Sequence, residues 1–237
     1  MHRRVILIGH MDFPGVQFEQ LYFAQRGIVT NIYRPSEGEK LPERIDNFDG
    51  VIIGGGGVNM DQILQHPWLG EEVKWVEKFL QTGKPVMGFC LGTQMLAQIY
   101  GGEVKRGETG YEYGFRPVQV VEKDDVFGEG LGEQPVFHLH EYVYTLPKTA
   151  VNLLKSDQYE QQAAKFSDNV YGTQFHPEVT IHRVRQFHRF YASACNYKGD
   201  SEDFLRDAVK FLPPAHRWLK GFFDRLFSFD EHSIYDS

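Results

Sequence analysis

Three residues carry the chemistry this sequence can offer. Cys90 lies in GKPVMGFCLGTQMLAQIYGG (83–102), where an apolar strand runs into a helix, with Gly88 two residues before it and Gly92 two after. A nucleophile between two such glycines fits a cramped strand-to-helix turn that lifts the side chain above a sheet. The glycines let neighbouring backbone pass close by. The helix starting at Leu91 aims its free N–H groups and the positive end of its dipole at the sulfur. That setting favours an anionic sulfur, the reactive form. The Leu91 N–H can also hold an oxyanion formed beside it.

A cysteine nucleophile needs a base, and the base an orienter. GTQFHPEVT (172–180) supplies both. His176 and Glu178 are two apart, which in extended chain puts them on one face, and Pro177 fixes the backbone between them. Glu178 would then hold the imidazole in one tautomer and support its charged form. A buried structural thiol is the alternative for any cysteine. It suits Cys195, between Ala194 and Asn196 late in an amphipathic helix, but not Cys90, given the strand, glycines and helix start around it.

These residues need a scaffold that brings strand ends together. VILIG (5–9), IVTNIY (28–33), FDGVIIGGGG (48–57) and KPVMGF (84–89) read as strands. VQFEQLYFAQRG (16–27) and EEVKWVEKFLQTG (71–83), the latter with Val73, Val76, Phe79 and Leu80 on one face, read as helices. Continuous apolar strands with helical crossovers predict an α/β fold, a doubly wound, mostly parallel sheet flanked by helices. Ligands in such folds sit beyond the carboxyl ends of the strands, where His10, Gly54–Gly57 and Cys90 fall. From about 103 to 176 the pattern shifts to shorter strands, some antiparallel. A helix follows over roughly 180–195, then two helical stretches over 201–230 split by Pro213–Pro214. With no repeat or linker, residues 1–237 read as one domain, with about 200–237 a helical extension packed on it.

The composition narrows the function. The 237 residues include 19 Phe and are 41% hydrophobic, enough for a sizeable core. A formal charge of −7 argues against nucleic acid. No stretch approaches the roughly 20 apolar residues of a membrane span. The two cysteines make no disulfide framework and imply a reducing, cytoplasmic setting.

Gly88-Phe89-Cys90-Leu91-Gly92-Thr93-Gln94 together with His176-Pro177-Glu178 resembles the class I glutamine amidotransferases. GHMDFPG, HPWLGEE, YEYG, TQFHPEV and the tail KGDSEDFLRDA…HRWLKGFFDRLF are similar to the standalone, GMP-synthetase-like branch, so the likeness covers nearly the whole chain. The resemblance implies a flavodoxin-like sheet carrying a Cys-His-Glu triad that splits the side-chain amide of glutamine through a thioester and releases ammonia. Cys90 would be the nucleophile, His176 the base and then acid, and Glu178 its orienter. The N–H groups of Gly56 and Leu91 would form the oxyanion hole, and Gln94 would help bind substrate. Two positions depart from the family pattern. Gly57 stands where a proline is usual, which would leave the oxyanion loop less pre-formed. Tyr142 stands two residues after His140 where an aspartate is usual, so its contact must be made otherwise, with Glu141 as a substitute.

With no Walker-type loop in the chain, the ammonia acceptor belongs on a separate synthetase chain. Alternatively the chain is a free-standing hydrolase of small γ-glutamyl amides, or a regulatory protein that binds without turnover. The substrate is a small molecule; no cofactor and no metal is expected. His138-x-His140 reads as a satisfied histidine pair rather than a metal site, for want of a third ligand nearby. His10 and Asp12 either rim the pocket or cap a turn, and His140 and Tyr142 are further rim candidates. HRVRQFHR (182–189) reads as a solvated basic face with Val184 and Phe187 turned inward. Trp218, Leu219, Phe222, Phe223 and Leu226 fall at helical spacing; they either cover the core or form a homodimer contact.

Overall fold

The computed structural model of the chain describes residues 3–10, 16–129, 131–132 and 134–228; Asp12 lies outside them. The first half alternates as the periodicity predicts. The elements are β1 (Arg4–His10), α1 (Gln17–Ala24), β2 (Val29–Tyr33), β3 (Gly50–Gly56), α2 (Pro67–Leu80), β4 (Val86–Phe89) and α3 (Leu91–Ile99). Short strands then follow: β5 (Val104–Arg106), β6 (Glu112–Pro117), β7 (Gln119–Val120), β8 (Pro135–His140), β9 (Tyr142–Tyr144), β10 (Val151–Lys155), β11 (Ala163–Ser167) and β12 (Val170–Thr173). Two helices, α4 (Ile181–Tyr191) and α5 (Ser201–Leu226), complete the described chain.

Eight strands form one sheet in the order β2-β1-β3-β4-β12-β11-β10-β7. The first five run parallel, and β11, β10 and β7 add an antiparallel edge. The inner parallel strands β1, β3, β4 and β12 bury both faces, while β2 at the edge stays partly exposed, so alternate residues feed two cores. Val5, Leu7, Ile52, Met87 and Phe89 pack on one side with α1 and the end of α5. Ile6, Ile8, Val51, Ile53 and Val86 pack on the other with α2 and α3. Helices on both faces make the sheet doubly wound. Antiparallel pairs β5–β9 and β6–β8 stand beside it.

The expected break at Pro213–Pro214 is absent: α5 is one 26-residue helix. Proline removes an N–H bond and crowds the carbonyl four residues back, at a cost of roughly 3 kcal/mol in a helix interior. Here Pro213 is exposed and Pro214 half-exposed, so the disrupted backbone faces water. Packing on both sides of the prolines holds the axis together. Phe204, Ala208 and Leu212 join a cluster with Tyr113, Phe137 and Phe187, while Trp218, Leu219, Phe222, Phe223 and Leu226 sit in the sheet core. Those five side chains fill this chain's own interior, and the dimer alternative loses the surface from which it was read. Val184 and Phe187 turn inward as expected. Among the described residues no helix is long and apolar enough to cross a membrane.

Candidate active site

Neighbouring strands β1, β3, β4 and β12 deliver His10, the glycine loop, Cys90 and the His176 turn to one edge of the sheet. Cys90 lies between β4 and α3 with φ 49° and ψ −104°, a conformation that costs a non-glycine residue about 1–3 kcal/mol. The turn is closed from both sides. The Cys90 N–H donates to the Thr173 carbonyl at 2.8 Å. The Thr93 hydroxyl lies 2.7 Å from that carbonyl and 2.9 Å from that of Gly88.

The flanking glycines are packing requirements. A Cβ on Gly88 would stand 2.6 Å from the Gly92 carbonyl carbon. One on Gly92 would strike the Ile53 carbonyl oxygen and stand 2.8 Å from the Ile53 Cβ. Ile53 belongs to a central strand that cannot yield, so Gly92→Ala is expected to cost about 1–3 kcal/mol. Thermal melting would show it as a loss of several degrees, with Gly57→Ala, whose Cβ would meet open space, as the unaffected control. An unchanged melting point for Gly92→Ala would overturn this account of the turn.

His176 Nδ1 lies 2.7 Å from Glu178 Oε1, and the ring and the Cys90 side chain both border Gly55. The pair forms in a turn after β12 rather than in the extended chain expected from the sequence; the His176 N–H anchors it to the Phe137 carbonyl at 2.8 Å. Burial alone would lower the His176 imidazole, but Glu178 and Cys90 outweigh it and raise it to about 10. The ring is therefore an imidazolium at neutral pH.

Gly56, Leu91, Gln94, His140 and Tyr142 all line the cleft over Cys90 and His176. Gln94 Nε2 donates to the Tyr142 carbonyl and to Gln174 Oε1, both at 3.2 Å. The Tyr142 hydroxyl donates to Asp61 at 2.9 Å across the cleft mouth. Glu141, the suggested substitute for the missing aspartate, also faces the cleft but is paired with Arg106 at 2.6 Å.

His10 does not rim the cleft. It is buried behind the glycine loop, with Nε2 2.9 Å from both Glu72 oxygens and Nδ1 3.2 Å from the Gly54 carbonyl. Burial would lower its imidazole, yet Glu72 wins and raises it. The buried pair braces the loop that carries Gly56.

Two residues escaped the sequence reading. Gln174 Nε2 lies 3.5 Å from the Cys90 sulfur; it sits inside GTQFHPEVT, and its place two residues before His176 was the available signal. Glu19 is a buried carboxyl on α1 with neither oxygen hydrogen-bonded among the described residues. Burial, then repulsion from Glu178, pushes it well above the usual carboxyl range. Its position three residues after Val16 and four before Phe23, on the apolar face of α1, was the signal.

The satisfied reading of His138-x-His140 does not hold. Among the described residues His138 makes no well-formed hydrogen bond at either ring nitrogen, and a third donor, Glu112, comes from the paired strand β6.

Known proteins match this arrangement. The family described as glutamine amidotransferase class-I matches residues 20–191. The GMP synthase (glutamine-hydrolyzing) subunit of Methanothermobacter thermautotrophicus is 36% identical over 146 residues, 60% of this chain and 71% of the relative. Gamma-glutamyl peptidase 5 of Arabidopsis thaliana is 29% identical over 163 residues, 66% of this chain and 64% of the relative. The structure of a glutamine amidotransferase from Thermotoga maritima superposes with a TM-score of 0.88 at 27% identity, covering 96% of this chain and 99% of that one. Family match, relatives and superposition agree: the chain belongs to the class I glutamine amidotransferase family.

Proposed function

We propose that this chain hydrolyses the side-chain amide of glutamine, with Cys90 as nucleophile, His176 as acid and base, and Glu178 as orienter. One observation carries the assignment of roles: an imidazole paired with Glu178 at 2.7 Å beside the Cys90 side chain, which stands on a strained turn. The thiolate attacks the carboxamide carbon, and the N–H groups of Gly56 and Leu91 receive the oxyanion. Each such donor lowers the barrier by about 3 kcal/mol. The imidazolium gives its proton to the departing nitrogen, and ammonia leaves a γ-glutamyl thioester. The neutral ring then takes a proton from water, whose oxygen attacks the thioester; the sulfur departs as thiolate beside the recharged ring, which restores the starting pair and frees glutamate. Gln94 helps bind substrate from the cleft wall.

The acceptor of the ammonia is a synthetase on a separate chain, as the similarity to GMP synthase subunits suggests. Residues 1–237 act as one domain. Both cysteines are free, which fits a reducing, cytoplasmic compartment. The likeness to gamma-glutamyl peptidase 5 and the Tyr142 hydroxyl at the mouth favour a second reading, hydrolysis of other small γ-glutamyl amides without a partner.

Ammonia release by the purified chain, with glutamine and a panel of γ-glutamyl amides, separates these. The first reading expects slow release from glutamine that rises when the synthetase is added. Fast partner-free release from other γ-glutamyl amides would favour the second. No release from any substrate, with or without a synthetase, would sink both.

A further inference from the structure

Behind the cleft wall lies a buried cluster that the triad does not use. Glu112 on β6 and His138 and His140 on β8 are 2%, 0% and 4% exposed. They offer three donor atoms within 4.8 Å of one another. Glu112 Oε2 stands 3.3 Å from His140 Nε2 and 3.6 Å from His138 Nδ1. Neither imidazole nitrogen forms a hydrogen bond there.

The tautomer of His140 sharpens the problem. Its Nδ1 lies 3.2 Å from the Tyr142 carbonyl, which can only accept, so Nδ1 carries the hydrogen. In the neutral ring Nε2 then directs a lone pair towards a carboxylate oxygen. Two acceptors at that distance need a proton or a cation between them. The geometry at Nε2 does not meet that of a hydrogen bond, so a proton bridges them poorly. His138 adds a second ring without a partner: it is fully buried, and neither of its nitrogens has a hydrogen bond among the described residues. Leaving such groups buried without partners destabilises the fold.

We propose that Glu112, His138 and His140 bind a divalent transition-metal cation of the zinc class. Two imidazoles and a carboxylate suit such an ion. Bonds of 2.0–2.1 Å in a tetrahedral shell place ligand atoms about 3.3 Å apart, close to the two spacings from Glu112. The surrounding contacts are those that orient metal ligands: a carbonyl on the far nitrogen of His140, and the Gln162 amide donating to Glu112 Oε2 at 2.7 Å. The ion ties β6 to β8 beneath the wall formed by Leu139 and His140. Its role is to hold that wall in place, and hydrolysis proceeds without a step at the metal.

The test uses the full chain carrying Cys90→Ala, so that the nucleophile cannot bind the probe. The protein is unfolded, stripped by a chelator and refolded with Co2+, which opens the buried site to the ion. Visible absorption of tetrahedral cobalt should rise to one equivalent with no thiolate band. It should vanish in His138→Gln and Glu112→Gln and persist in His182→Gln, an exposed control. Circular dichroism identifies any variant that fails to refold. X-ray absorption on zinc-loaded protein without core substitutions gives an independent answer, two imidazoles and one carboxylate. Absence of stoichiometric cobalt absorption, absorption that survives in folded His138→Gln and Glu112→Gln, a thiolate band, or a zinc shell lacking two imidazoles would overturn the site.

Discussion

Cys90→Ala is expected to abolish ammonia release while leaving the far-UV circular dichroism unchanged. Removing the nucleophile of a triad costs on the order of 10^6 in rate. The fold should survive because backbone and Thr93 hold the turn, whereas the sulfur reaches only outward, to His176 and Gln174. A glutamine-mimicking alkylator should label the native chain at Cys90 and spare Cys195. Burial, then the nearby Glu141, pushes the Cys195 thiol up to about 11, so it is a poor nucleophile at neutral pH. Ammonia release by Cys90→Ala at the native rate would end the assignment of that residue.

Glu178→Gln should lower kcat about 10^4-fold, the loss seen when a triad keeps its geometry but not the charge that fixes its histidine. It should also change how stability depends on pH. His176 is raised from 6.5 to about 10 in the folded chain. Its stabilising contribution is complete below the unfolded value and is lost as pH rises through the folded one. Without the Glu178 charge, burial presses the imidazole back down and that contribution shrinks. The gap in melting temperature between native and variant chains should therefore be wide near neutrality and close as pH climbs towards about 10. A gap that stays constant or widens with pH would refute the ion pair.

The parallel half of the molecule was legible because local and global signals agree there. Apolar runs of strand length, helical spacing in α2 and glycines around Cys90 all specify the same doubly wound sheet. The proposed triad was legible for the same reason: each member follows a strand whose end can be placed in advance. What escaped depends on partners remote in sequence. His10 stayed open between a rim residue and a turn cap because nothing local reveals Glu72, 62 positions away, as its partner. Glu112 could not be joined to His138 and His140 until β6 and β8 were paired. Two adjacent prolines argue for a break on local grounds, and only the two clusters gripping α5 overrule them.

The long helix α5 sets the order in which this protein becomes itself. The Tyr22 hydroxyl and the Arg26 guanidinium both reach Asp224, 202 and 198 residues away, and Phe223 and Phe227 pack on Phe23. During synthesis β1 and α1 emerge almost two hundred residues ahead of the side chains that cover them. One flank of the sheet therefore stays greasy until α5 has emerged. Contacts so distant slow folding and prolong exposure to aggregation.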